Sequence, residues 1–108
     1  MDQDTITIFV IAGPSTGLKH ELTKPRTTIG RAGGGADIEI DDPQASALHG
    51  VLAVSKEMVR LYDLDSASGT YLEEKRVEAA RVDHYSEFRI GSTVFVVSIV
   101  PTHVMAAR

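Results

Sequence analysis

The chain contains no cysteine, and only 6% of it is aromatic. Without cysteine there can be no disulfide, thiolate metal site or cysteine nucleophile, which fits a reducing compartment. A basic excess is also lacking: 11 Lys+Arg stand against 15 Asp+Glu, a formal charge of −4. That balance argues against the broad basic surface of a general nucleic-acid binder, while leaving room for one small basic pocket. Long apolar runs are missing too, since the stretches at 8–12 and 94–100 are far too short to span a bilayer. The opening Met1-Asp2-Gln3-Asp4 is acidic where a secretory signal would be basic. These absences predict a soluble, cytoplasmic domain with no membrane association.

At 108 residues the chain has the length of one domain, and folding should bury roughly 65% of the surface an unfolded chain exposes. No repeat, low-complexity tract or internal linker interrupts it. The core is expected over about 5–100, with 101–108 a tail or linker. What the sequence does have is frequent punctuation: Gly13-Pro14, Pro25, Gly33-Gly34-Gly35, Asp42-Pro43, Ser68-Gly69 and Gly91-Ser92. Short segments broken this often predict an all-β sandwich or barrel. The segments agree. Thr5-Ile6-Thr7-Ile8 alternates, Ile38 and Ile40 alternate with acidic residues, and Val59 and Leu61 share a face opposite Arg60 and Tyr62. Gly91-Ser92 between 88–90 and 94–100 suits a type II′ hairpin turn. Residues 73–81, by contrast, are rich in helix formers without an apolar stripe or a clear cap, and helix and strand stay equally open there.

Three pieces could carry chemistry. Gly30-Arg31-Ala32-Gly33-Gly34-Gly35 is glycine-rich, but a strand pattern follows it where a nucleotide loop needs a helix, so a nucleotide site is excluded. Taken alone, Arg31 is a solvated strand-end charge. Ser46 and His49 have the types of a nucleophile and base, yet no Gly-x-Ser-x-Gly elbow or orienting carboxylate accompanies them, so no catalytic residues are assigned. His20, His84 and His103 are scattered without metal-ligand spacing, and no metal or cofactor is expected. The acidic run Asp37, Glu39, Asp41, Asp42 reads as a solvated strand face and turn. The third piece, 64–71, is a polar turn leaving a strand.

Together and in order, these pieces resemble the forkhead-associated (FHA) domain, a β-sandwich family that binds phosphothreonine peptides. The family pattern has Gly-Arg, Asp-Ile-x-Leu-x-Asp-Pro, Ser-x-x-His and Asp-Leu-x-Ser-x-Asn-Gly-Thr. Here stand Gly30-Arg31, Asp37-Ile38-Glu39-Ile40-Asp41-Asp42-Pro43, Ser46-Ala47-Leu48-His49 and Asp63-Leu64-Asp65-Ser66-Ala67-Ser68-Gly69-Thr70. The resemblance implies an antiparallel sandwich of about 10–11 short strands, with recognition loops at one end. It implies a hairpin in place of a helix at 73–81. A phosphothreonine-containing protein or peptide would be the partner, bound without catalysis in signalling or regulation, and the domain would suit fusion to a larger regulatory protein.

The resemblance also implies site residues. Arg31 and Ser46 would bind the phosphate, Ser68 and Gly69 would face the peptide, Gln44 and Ala47 would flank it, and Gln44 would read the residue three positions after the phosphothreonine. Gly30, His49 and Thr70 would support the loops. A guanidinium fork and a hydroxyl match the acceptor oxygens of a phosphate dianion, so the pocket needs no basic protein around it. The glycines at 33–35 fit either plain loop flexibility or further backbone N–H groups turned to an anion. Two departures lower the expected affinity. Ser68 replaces an asparagine that grips the peptide main chain, and Ala47 stands where arginine or lysine is frequent. Those departures raise a second reading, an FHA-fold interaction or dimerisation domain for an unphosphorylated partner.

Overall fold

A computed structural model describes residues 4–56 and 58–102. The described residues form eleven strands: β1 (Asp4–Ala12), β2 (Lys19–Glu21), β3 (Arg26–Arg31), β4 (Ile38–Ile40), β5 (Gly50–Ser55), β6 (Met58–Asp63), β7 (Thr70–Leu72), β8 (Lys75–Val77), β9 (Ala79–Val82), β10 (Glu87–Ile90) and β11 (Thr93–Pro101). They pair into a six-stranded sheet, β2-β1-β11-β10-β7-β8, and a five-stranded sheet, β4-β3-β5-β6-β9. No helix among the described residues is long and apolar enough to cross a membrane.

The period-2 alternation seen in the sequence decides which faces meet. Ile6, Ile8 and Val10 of β1 point inward with Phe95 and Val97 of β11 and Phe88 and Ile90 of β10. From the opposite sheet Ile29, Ile38, Ile40, Leu52, Val59 and Leu61 fill the same core. Phe88 and Phe95 are a cross-strand pair whose rings stack with centroids 4.6 Å apart.

Two local outcomes matter for the loops. The sandwich is not wholly antiparallel, because β4 runs parallel to β3, pairing Ile29 with Ile38 and Arg31 with Ile40. Six residues must carry the chain back along β3 to begin that pairing. Gly33 and Gly35, at φ 89° and 92°, supply the left-handed turns this reversal needs. Residues 73–81 are strand and turn, as the family resemblance implies. Leu72 pairs with Lys75 across a two-residue turn in which Glu73 and Glu74 take φ 51° and 68°. Pairing with β7 there overrides the helix propensity of the segment. At Gly91-Ser92 the expected II′ hairpin forms, with Gly91 at φ 60° and Ile90 paired to Thr93.

Candidate functional site

Three chain segments meet at one end of the sandwich: the end of β3, the β4–β5 loop and the β6–β7 loop. The first two are stitched by backbone, since Arg31 N–H donates to the Ser46 carbonyl at 2.9 Å and His49 N–H to the Ile29 carbonyl at 2.8 Å. Gly30 makes that approach possible, because a Cβ there would lie 1.8 Å from the Ala47 carbonyl oxygen. The Arg31 side chain is exposed, and its Nη1 donates to the Ala45 carbonyl at 2.9 Å. One of five guanidinium N–H groups is thus used to anchor the side chain to the β4–β5 loop.

His49 joins the second segment to the third. Its ring is fully buried. Nδ1 accepts the Ser46 N–H at 3.0 Å and Nε2 faces the Gly69 carbonyl at 2.9 Å. A carbonyl can only accept and an amide N–H can only donate, so the ring proton sits on Nε2. Both ring nitrogens are taken by backbone groups, leaving neither for the Ser46 hydroxyl. That hydroxyl instead lies 3.4 Å from Ala67 N–H, across the gap between the loops. Ser68 Oγ donates to the Gln44 carbonyl at 2.8 Å, a second tie between them. Gln44 and Ala47 are exposed at the rim, while Ser46 and Ser68 are half-buried. All the residues singled out for this site therefore converge, but the Ser68 side chain is spent on the loop and not held open.

Two carboxylates that sequence reasoning passed over anchor the loops. Asp63 closes β6 and accepts Ser66 Oγ at 2.5 Å, Thr70 Oγ1 at 2.7 Å and Ser66 N–H at 3.0 Å, with His49 Nε2 3.7 Å away. Thr70, fully buried, thereby fixes the exit of the β6–β7 loop. Asp42 corrects the reading of the acidic run as solvated, for it is only 2% exposed. It accepts Gln44 N–H, Ser92 N–H and Oγ, and Thr93 Oγ1, clamping the β4–β5 loop to the β10–β11 turn. Burial pushes both carboxyls up, but these donors together outweigh it and hold them below the ordinary aspartate value of 3.8. Asp37 is held lower still, at about 2, by Lys24 Nζ at 2.8 Å and by the N–H and hydroxyl of Thr28.

Of the two readings of the glycine loop, the anion-facing one does not hold. Gly33 N–H and Gly35 N–H donate to the two carboxylate oxygens of Glu39 at 3.1 and 3.2 Å, and Gly34 N–H to the Arg31 carbonyl. Its donors serve the loop's own shape and are not left for an outside anion. A local signal existed for part of this: Asp42 with Gln44 N–H is an Asx turn, and Asp63 reaches Ser66 three residues on.

The family model described as the inner membrane component of T3SS, cytoplasmic domain, matches residues 9–100. Over 84 residues the chain is 30% identical to the glycogen accumulation regulator GarA of Mycolicibacterium smegmatis, an alignment covering 78% of this chain and 52% of that protein. The chain thus spans about half the length of that curated relative. An FHA domain solved in a study of phosphothreonine-dependent FHA domain interactions superposes with TM-score 0.79 at 21% identity, over 87% of this chain and 95% of that one. EmbR of Mycobacterium tuberculosis, solved with a low-affinity phosphopeptide, superposes with TM-score 0.81 at 24% identity, over 91% of this chain and 25% of that one. Fold, ordered motifs and family match agree: the chain belongs to the family of the T3SS inner membrane component's cytoplasmic domain, a domain of the forkhead-associated type.

Proposed function

We propose that this domain is a phosphothreonine-dependent protein–protein interaction module that binds its partner through the β3 end, the β4–β5 loop and the β6–β7 loop. The observation that carries the reading is exposed Arg31, its backbone bonded to Ser46 and its guanidinium held by the Ala45 carbonyl, on loops locked by buried His49. Arg31 supplies charge-assisted donors to the phosphate and Ser46 a hydroxyl. Gln44 and Ala47 line the path of the flanking residues. Gly69 brings backbone close to the peptide. Gly30, His49 and Thr70 hold the geometry. The work is binding and not catalysis, since the imidazole that would have to activate Ser46 has no free nitrogen. The relative solved with a phosphopeptide and the FHA domain studied for phosphothreonine dependence support the same reading. So does the regulatory role in the relative's name.

The test is titration of the domain with one peptide library in phosphothreonine, phosphoserine and unphosphorylated forms. Binding confined to the phosphothreonine form is expected. Arg31→Ala should weaken it about 10- to 150-fold, the loss of roughly 1.5–3 kcal/mol from a charged hydrogen bond. A second reading rests on Ser68, whose hydroxyl donates to the Gln44 carbonyl. Under it an unphosphorylated partner binds the same end, and capture survives both phosphatase and Arg31→Ala.

A further inference from the structure

Beside the β6–β7 loop, on the six-stranded sheet, two arginines flank one aromatic ring. The β7–β8 register sets Tyr71 opposite Arg76, and the β10–β7 register sets it opposite Arg89. Directly opposed residues share a face, so Arg76, Tyr71 and Arg89 form a row across three strands. Arg89 is fully engaged: it lies 4.4 Å from the Tyr71 ring centroid, donates to the Gly91 carbonyl and pairs with Glu74 at 3.3 Å.

Arg76 behaves otherwise. Its side chain turns along β7 onto Gly69, where an added Cβ would lie 2.7 Å from Nε, 2.9 Å from Cζ and 3.2 Å from Cδ. Gly69, at φ 92° and without a side chain, is the seat on which the guanidinium rests. Among the described residues no carboxylate pairs with Arg76. An exposed, uncompensated cation is thus held against the loop whose Gly69 carbonyl binds His49 and whose Ser68 binds the Gln44 carbonyl. We propose that Arg76 is a specificity-determining residue that pairs with an acidic side chain flanking the phosphothreonine, so that the preferred ligand is a phosphothreonine peptide with aspartate or glutamate on one flank. The inference rests on the phosphothreonine reading of Arg31 and Ser46. It gives the site the second cation that Ala47 does not provide. A guanidinium is suited to the task because it presents a planar fork that matches a carboxylate.

The experiment is fluorescence anisotropy at low ionic strength with three phosphothreonine peptides: neutral on both flanks, acidic before the phosphothreonine, and acidic after it. Each has an unphosphorylated twin, and each is titrated into wild type, Arg76→Ala, Arg76→Glu and Arg31→Ala. One acidic-flank peptide should bind wild type about two- to fivefold more tightly than the neutral one, the range of an exposed ion pair. Arg76→Ala should erase that preference and Arg76→Glu should invert it. Arg31→Ala should weaken every phosphopeptide. Phosphate-dependent binding with no acidic preference overturns the role of Arg76 alone. So does an Arg76→Ala loss that is equal on neutral and acidic peptides, which would make the residue a mere support of the loop. Binding indifferent to phosphorylation overturns the reading of the site, and this inference with it.

Discussion

At the scale of single residues, the site depends on polar groups that have no water to fall back on. His49 satisfies one part-buried N–H and one buried carbonyl from two different loops. Removing the ring orphans both, at roughly 1–3 kcal/mol each, and leaves a cavity. His49→Ala should therefore lower unfolding free energy by about 3–5 kcal/mol in urea titration, and phosphopeptide affinity should fall with the loops' order. Thr27 is the opposite case. It is 1% exposed on β3, and its hydroxyl has no hydrogen-bond partner. Valine has nearly the same shape without the stranded group, so Thr27→Val should stabilise the domain by about 1 kcal/mol, read as a higher denaturation midpoint with an unchanged slope. Legibility at this scale follows distance along the chain. The ordered set Arg31, Ser46, His49 and Thr70 was legible only through the family resemblance, which relates pieces that say little singly. Asp42 could not, since Ser92 and Thr93 lie 50 and 51 residues away and no local pattern announces them. Arg76 escaped notice because its meaning is a contact with Gly69, visible only once β7 and β8 pair.

At the scale of elements, the β7–β8 hairpin carries a tension between sequence and backbone. A two-residue turn with both φ values positive is the geometry that Asn-Gly adopts readily, and Glu73-Glu74 occupies it with two side chains that disfavour it. Composition alone therefore left helix and strand balanced at 73–81, while the turn chemistry pointed to neither. Replacing the pair by Asn-Gly removes that strain and sacrifices the exposed Glu74–Arg89 pair, which is worth less than about 1 kcal/mol. The double variant should gain about 1 kcal/mol in stability, and a loss would show that the turn is not the strained point. β1, β4 and β6 were legible, because alternation specifies which face is buried wherever one face is wet; β2, β8 and β9 carry no such alternation over their three or four residues. Only the parallel β3–β4 pairing departed from the antiparallel expectation. Strand direction there is decided by how 32–37 doubles back, and residue alternation does not encode that.

For the whole molecule, three aspartates act as fasteners: Asp37 between the start of β4 and β3, Asp42 between the β4–β5 loop and the distant β10–β11 turn, Asp63 within the β6–β7 loop. All three have carboxyls held below 3.8 in the fold. A depressed folded value means that the unfolded chain binds more protons just below pH 4, so stability rises with pH through that window. The domain should keep its full stability above about pH 5 and lose it progressively as pH falls below 4 and the carboxyls protonate. Replacing Asp42 by Asn should flatten that acid limb while lowering stability at neutral pH, and the pair of measurements, by circular dichroism against pH and denaturant, checks both signs. Net charge and composition foretold neither effect, because they count carboxylates without saying which are shielded.

The pairing of β1 with β11 has a mechanical consequence. Asp4 lies opposite Pro101 at one pole, and Ala12 lies opposite Val94 near the loops, roughly 26 Å away along the strand. Tension applied between the start of β1 and the end of β11 would load the hydrogen bonds of this ladder one rung at a time, beginning at the pole farthest from Arg31. The sandwich would open like a zipper from its rear, and the recognition loops would be the last part of the ladder's length to feel the pull.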